Sequence, residues 1–226
     1  MIHRDEHSII CQHDIYSPAS RLDGGDSASR TAIMAICGSQ ADADLLGLFS
    51  VGGIMVRHPY QDPWNNPNNC TRDQLIPYVA ALWAWEKHYE ADMMMVAHRQ
   101  RGWRCQNTER DKPGTMKQWP NGPDWLAPDH RLHLKLAAGA PLEDATALER
   151  AWLEASILWS TKVKPQAEQN QIICQCLVAG PEYVRKYVEG HPNFEGELRR
   201  YWGTWRDQRE IAELLIKKVR EVQWGP

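Results

Sequence analysis

Residues 71–83 read TRDQLIPYVAALW, and the reading of this stretch decides the fold. Thr71 followed three residues later by Gln74 has the pattern of a capping box, in which a hydroxyl and an amide side chain satisfy each other's free backbone N–H groups at a helix start. Leu75, Val79, Leu82 and Trp83 then recur at helical spacing and predict one buried stripe. Pro77 removes one backbone donor and predicts a bend in the first turns. The helical signal continues towards His98, with room for one break.

Upstream of this helix, Asp26 or Ser27 is positioned to cap another, whose apolar residues are Ile33, Met34, Ile36 and Cys37 and which stops near Gly38. A short helix over about 40–49 follows, and then VGGIMV, whose glycine pair predicts a turn or short strand. The first 25 residues are polar, run into LDGGD and predict an N-terminal arm or loop. Downstream, PDHRLHLKLAAG closes at Gly139 and PLEDATALERAWLEASILWSTK predicts about five turns. EQNQIICQCLVAG, PEYVRKYVEG and TWRDQREIAELLIKKVREV complete the series. Short joints between amphipathic helices predict a mainly α fold, a single domain of antiparallel helical hairpins over 26–226. One long irregular loop interrupts it at about 102–127; loops of that length are usually functional or disordered, and its three tryptophans argue against simple disorder.

The 226 residues carry a net charge of −3, which gives no global signal for nucleic acid. Eleven tryptophans against two phenylalanines favour rings that combine a stacking face with an N–H donor, although packing accounts for most of them equally well. The six cysteines contain no C-x-x-C pair, so the spacing of zinc ribbons, fingers and redox motifs is missing and no cofactor or metal is expected. Neither a secretory signal nor a membrane span is expected from the charged N-terminus and the short apolar runs.

The polar stretch RHPYQDPWNNPNNC at 57–70 is where chemistry is to be sought. If the two helix starts and this loop meet, Asp26, His58 and Asp73 are candidates for proton transfer, and Arg30, Arg57 and Arg72 for binding an anion, with Asp62 and Trp64 completing the surface. The blander reading makes Asp26 and Arg30 an exposed ion pair four residues apart. Asp62 to Asp73 spans twelve residues but has Pro67 at the sixth position, which excludes a calcium loop. His130 and His133 lack a third ligand at a diagnostic spacing and are expected at the edge of a packed face. Cys70 precedes a helix, where a thiol is easily activated, whereas Cys174 and Cys176 sit among apolar neighbours and are expected to pack. Trp119 and Trp125 flank a rigid polar turn, suited to stacking on a sugar ring and equally to local packing.

The ordered set DSASRT, RHPYQDPW and TRDQLIPYVAALW resembles poorly characterised proteins of bacteriophages and prophages. That resemblance implies a phage setting: synthesis in the host cytoplasm, assembly into the virion or its tail, and other phage or host proteins or a surface glycan as partners. More distantly, the polar cluster at helix ends is similar to that of α/α toroid enzymes acting on polysaccharides, which implies a partial toroid and a hydrolase or lyase as the alternative function.

Overall fold

The computed structural model describes residues 2–13, 22–62, 64–105, 125–160, 167–203 and 209–224. The fold is mainly α. Among the described residues the helices are α1 (Ser27–Ile36), α2 (Gln40–Leu45), α3 (Arg72–Ala84), α4 (His88–Gln100), α5 (Pro128–Ala137), α6 (Ala147–Ser160), α7 (Ala167–Ala179), α8 (Pro181–Gly190), α9 (Phe194–Gly203) and α10 (Arg209–Trp224). Two antiparallel ribbons accompany them, β1 (Gln12–His13) with β2 (Leu22–Asp23) and β3 (Ser50–Val51) with β4 (Ile54–Met55). Gly52 and Gly53 join β3 to β4 at φ 57° and 76°, the left-handed pair that a tight two-residue hairpin needs. Most of the long loop, including Trp119, lies outside the described residues.

Helix α3 is the hub. Every residue of α3 from Gln74 to Leu82 is buried, against α1 on one side and α5 and α7 on others. A helix apolar all round belongs in an interior, so the expected single stripe is widened by Ile76, Tyr78, Ala80 and Ala81. Tyr78 keeps its phenol in this core by donating to the Leu46 carbonyl at 2.8 Å. In contrast, α10 is amphipathic: Ile211, Ala212, Leu215, Ile216 and Val219 are buried, while Glu213, Lys217 and Arg220 face outward. Each large aliphatic side chain so buried stabilises the fold by roughly 1.5–3 kcal/mol.

The long helical signal breaks once, between α3 and α4, where Glu86 takes φ 54° and the Lys87 amide returns to the Leu82 carbonyl at 2.8 Å. Two capping patterns exchange roles. At Thr71 the helix starts where expected, but the capping box is not made: the Thr71 hydroxyl is buried without a hydrogen-bond partner among the described residues, and Gln74 reaches across to α1. The box forms at Thr146 and Glu149, where the Glu149 amide donates to the Thr146 hydroxyl at 3.2 Å and the Glu149 carboxylate accepts the Thr146 amide at 2.9 Å. This box delays the start of α6, so the expected five-turn helix opens instead with a separate 3-10 turn over Leu142–Asp144.

Candidate functional site

Three segments distant in sequence meet at the start of α1. The first three amides of this helix are satisfied from outside it: Ser27 N–H by the Gly24 carbonyl at 3.1 Å, Ala28 N–H by the Arg57 carbonyl at 3.0 Å, and Ser29 N–H by Gln74 Oε1 at 3.0 Å. Because those amides are taken, Asp26 makes no capping bond and its carboxylate is released for other partners. Arg57 and Gln74 donate to Oδ1 at 3.2 and 3.1 Å, and Arg30 donates to Oδ2 at 3.2 Å. The bland expectation of an exposed Asp26–Arg30 pair is corrected by burial, since Arg30 is only 2% exposed and also donates to Gln12 Oε1 at 2.8 Å.

Around this clasp the loop is held by its own residues. The Arg57 guanidinium lies 4.6 Å from the centre of the Trp64 ring and donates through Nε to the Gly25 carbonyl. Trp64 in turn donates its indole N–H to Asp23 Oδ1 at 2.8 Å, an oxygen that also accepts the Gly25 amide at 3.0 Å. Asp73 joins at the margin, 3.4 Å from Gln74 Nε2, while Arg72 opens α3 half-buried and Asp62 lies exposed on the loop. Thus Asp26, Arg30, Arg57, Trp64 and Asp73 share one neighbourhood. Trp125 belongs to another, beside Arg104.

His58 follows Arg57 but serves different partners. Its Nδ1 accepts the amides of Tyr60 and Gln61 at 3.1 and 3.2 Å, which leaves the proton on Nε2 to be donated to Asp5 Oδ2 at 3.0 Å. Burial pushes the imidazole below its ordinary value, against the opposing pull of Asp5. In this geometry His58 is a strut between the N-terminal segment and the loop. Next to it Asp5, Glu6, His7, Leu22, Tyr60 and Gln61 line a shallow groove of about 350 Å³.

Gly24 shows how tightly the strut is held, because a Cβ at this position would stand 2.5 Å from His58 Cδ2. Gly24→Ala is therefore expected to destabilise the protein by roughly 1–2 kcal/mol through overpacking, read as a lowered urea midpoint at unchanged slope. A variant as stable as wild type would mean that the imidazole has room to move.

Asp5, Cys11 and His58 bring three potential metal donors within 4.8 Å of one another. They do not suit a cation, because both nitrogens of His58 are already spent: Nδ1 accepts the loop amides and Nε2 donates to Asp5. Elsewhere, His130 Nδ1 accepts the Ala127 amide at 3.2 Å, and His133 Nε2 donates to the Ile76 carbonyl at 2.9 Å. Asp129 is buried and its Oδ2 accepts from Ser156 Oγ at 2.9 Å and Gln175 Nε2 at 3.1 Å, which ties α5 to α6 and α7. Cys174 and Cys176 are buried, and burial pushes both thiols up.

Sequence reasoning missed Asp5, Gln12, Asp23 and the second role of Gln74. Asp23 carried a signal, as it precedes two glycines that let a loop approach closely; Asp5 carried none. Comparison with family models, curated proteins and solved structures finds no match for this chain.

Proposed function

We propose that the chain is a phage-associated structural or interaction protein, a virion or tail component whose loop-rich face contacts a partner protein or a surface glycan. The observation that carries this reading is the surface at the end of α4. Trp125 is 46% exposed, with the Arg104 guanidinium 4.7 Å from its ring centre. The Arg99 and Arg131 guanidiniums stand 5.9 and 5.1 Å from the centre of the Trp103 ring. Indoles and guanidiniums interleaved in this way suit an acidic partner surface or an anionic sugar, despite the chain's net charge of −3. The phage setting rests on the sequence resemblance.

Mass spectrometry of purified virions is expected to find the chain, and its consistent absence would remove the structural role. Trp125→Ala combined with Arg104→Ala is expected to weaken partner or glycan capture about tenfold or more, the loss of one exposed anchor. Unchanged capture would place the contact elsewhere.

A polysaccharide hydrolase or lyase is the second reading. It is favoured by the partly exposed Asp26 beside the Arg57–Trp64 stack, which supplies a carboxylate, a cation and a sugar platform together. Asp26, and Asp73 at the margin, carry the chemistry better than His58, whose Nδ1 is occupied. A panel of acidic polysaccharides assayed for reducing ends and unsaturated products tests it, and inactivity across that panel would end it.

A further inference from the structure

We infer that Cys70, His98 and Cys105 form a zinc site that joins the start of α3 to the end of α4. The three side chains are fully buried, at 0% exposure, and their donor atoms all lie within 4.8 Å of one another. The two sulfurs are 3.9 Å apart. A disulfide requires about 2.0 Å. Two thiolates on a tetrahedral zinc, each about 2.3 Å from the metal, stand about 3.8 Å apart along the tetrahedron's edge. The observed separation, at which the Cys70 thiol donates a weak hydrogen bond to Cys105 Sγ, matches the second arrangement, so a zinc ion can replace that proton without moving the sulfurs far.

The imidazole is oriented for the same purpose. His98 Nδ1 lies 3.1 Å from the Arg104 carbonyl, which can only accept, so Nδ1 carries the proton and Nε2 carries the lone pair. That Nε2 is buried without a hydrogen-bond partner among the described residues. An unsatisfied buried acceptor is destabilising, and a bound metal removes the penalty. A histidine ligand whose other nitrogen donates to a backbone carbonyl is the usual outer-shell arrangement at zinc.

Backbone geometry brings the third donor to the second. Gly102 and Trp103 both adopt left-handed conformations, φ 63° and 64°, and the Trp103 amide returns to the His98 carbonyl at 2.7 Å. For a tryptophan this conformation is unfavourable and needs something to hold it. The turn delivers both the Arg104 carbonyl that orients His98 and the Cys105 thiol beside it.

Charge selects the ion. Zinc binding releases the two thiol protons to solvent, and Zn²⁺ with two thiolates and a neutral imidazole has no net charge, as a fully buried centre requires. Sulfur donors prefer zinc over magnesium or calcium, and a fourth donor such as water completes the tetrahedron. Cys70 precedes α3, His98 lies in the last turn of α4 and Cys105 follows α4, so the ligands have no paired spacing and C-x-x-C counting passes over them.

The full chain, purified under reducing conditions and stripped with a chelator, is expected to rebind one zinc per molecule. With cobalt in place of zinc it is expected to show a near-ultraviolet thiolate-to-metal charge-transfer band. Cys70→Ser, His98→Gln and Cys105→Ser should each weaken zinc binding by at least ~10–100-fold, the loss seen when even an outer-shell partner is removed. The cobalt spectrum needs no variant and so stands whether or not the variants fold. A folded wild-type chain that takes up no stoichiometric zinc, a cobalt complex without the charge-transfer band, or zinc held at wild-type affinity in both cysteine variants would each overturn the site.

Discussion

Asp26→Ala is expected to lower the unfolding free energy by about 3–5 kcal/mol, the cost of removing one partner from a buried ion pair. An exposed pair four residues apart on a helix would lose only about 0.3–0.5 kcal/mol. Burial decides between them. Arg30 is 2% exposed and the Arg57 side chain 17% exposed, so without Asp26 two guanidiniums face one another with their shared carboxylate gone. Gln74 loses an acceptor at the same time. Asp26 itself is 37% exposed, and water entering its place holds the loss near the lower end of the range. Asp26→Asn keeps an oxygen for Gln74 and removes only the charge, so the difference between the two variants isolates the electrostatic part. Urea unfolding reads both. A double-mutant cycle with Arg57→Ala should give a coupling of at least about 1 kcal/mol. If Asp26→Ala lies within experimental error of wild type, the clasp does not hold the loop to α1.

What the sequence made legible was local. Thr71 marked the helix start and the glycine pair at 52 and 53 marked a turn or short strand, whereas TRDQLIPYVAALW predicted one buried stripe and α3 is buried all round. The identity of each partner was not local and could not be read. Gln74 was assigned to its own helix start, yet it caps α1, because a three-residue pattern records what a side chain can reach nearby and nothing about what folding brings to it. Nothing in the short helix over 40–49 singled out Asp42. It is buried, and Arg4 donates to both its oxygens at 2.8 and 3.0 Å, anchoring the N-terminal segment whose Ile9, Ile10 and Cys11 lie in the interior. The candidate site was half legible for the same reason: Asp26, Arg30, Arg57 and Trp64 were drawn from two polar stretches that do meet. His58 was read as a proton carrier from its residue type, but its hydrogen bonds to the Tyr60 and Gln61 amides make it a structural acceptor.

His133 predicts the acid sensitivity of the whole fold. Burial between α3 and α5 pushes its imidazole from the ordinary 6.5 to about 4, against the opposing effect of the Ile76 carbonyl that accepts its Nε2–H. Protonation would add a second N–H at Nδ1, which has no hydrogen-bond partner among the described residues, and would place a charge in the core beside His130. The unfolded chain meets no such obstacle and binds this proton near pH 6.5. Between pH 6.5 and 4 the unfolded state therefore holds a proton that the folded state refuses, and stability falls as the pH falls. The contribution is intact above pH 6.5, is reduced by about 2 kcal/mol at pH 5 and by about 3 kcal/mol at pH 4. His58, also pushed down by burial, acts in the same direction, so the measurement must be differential. His133→Gln retains a donor for the Ile76 carbonyl and cannot titrate. Urea unfolding of both proteins from pH 7 to pH 4 should show the wild type losing stability faster than the variant, by about 2 kcal/mol at pH 5. Parallel curves would mean that the folded core accepts the proton, which requires an acceptor for Nδ1 that the packing of α5 against α3 and α7 does not supply.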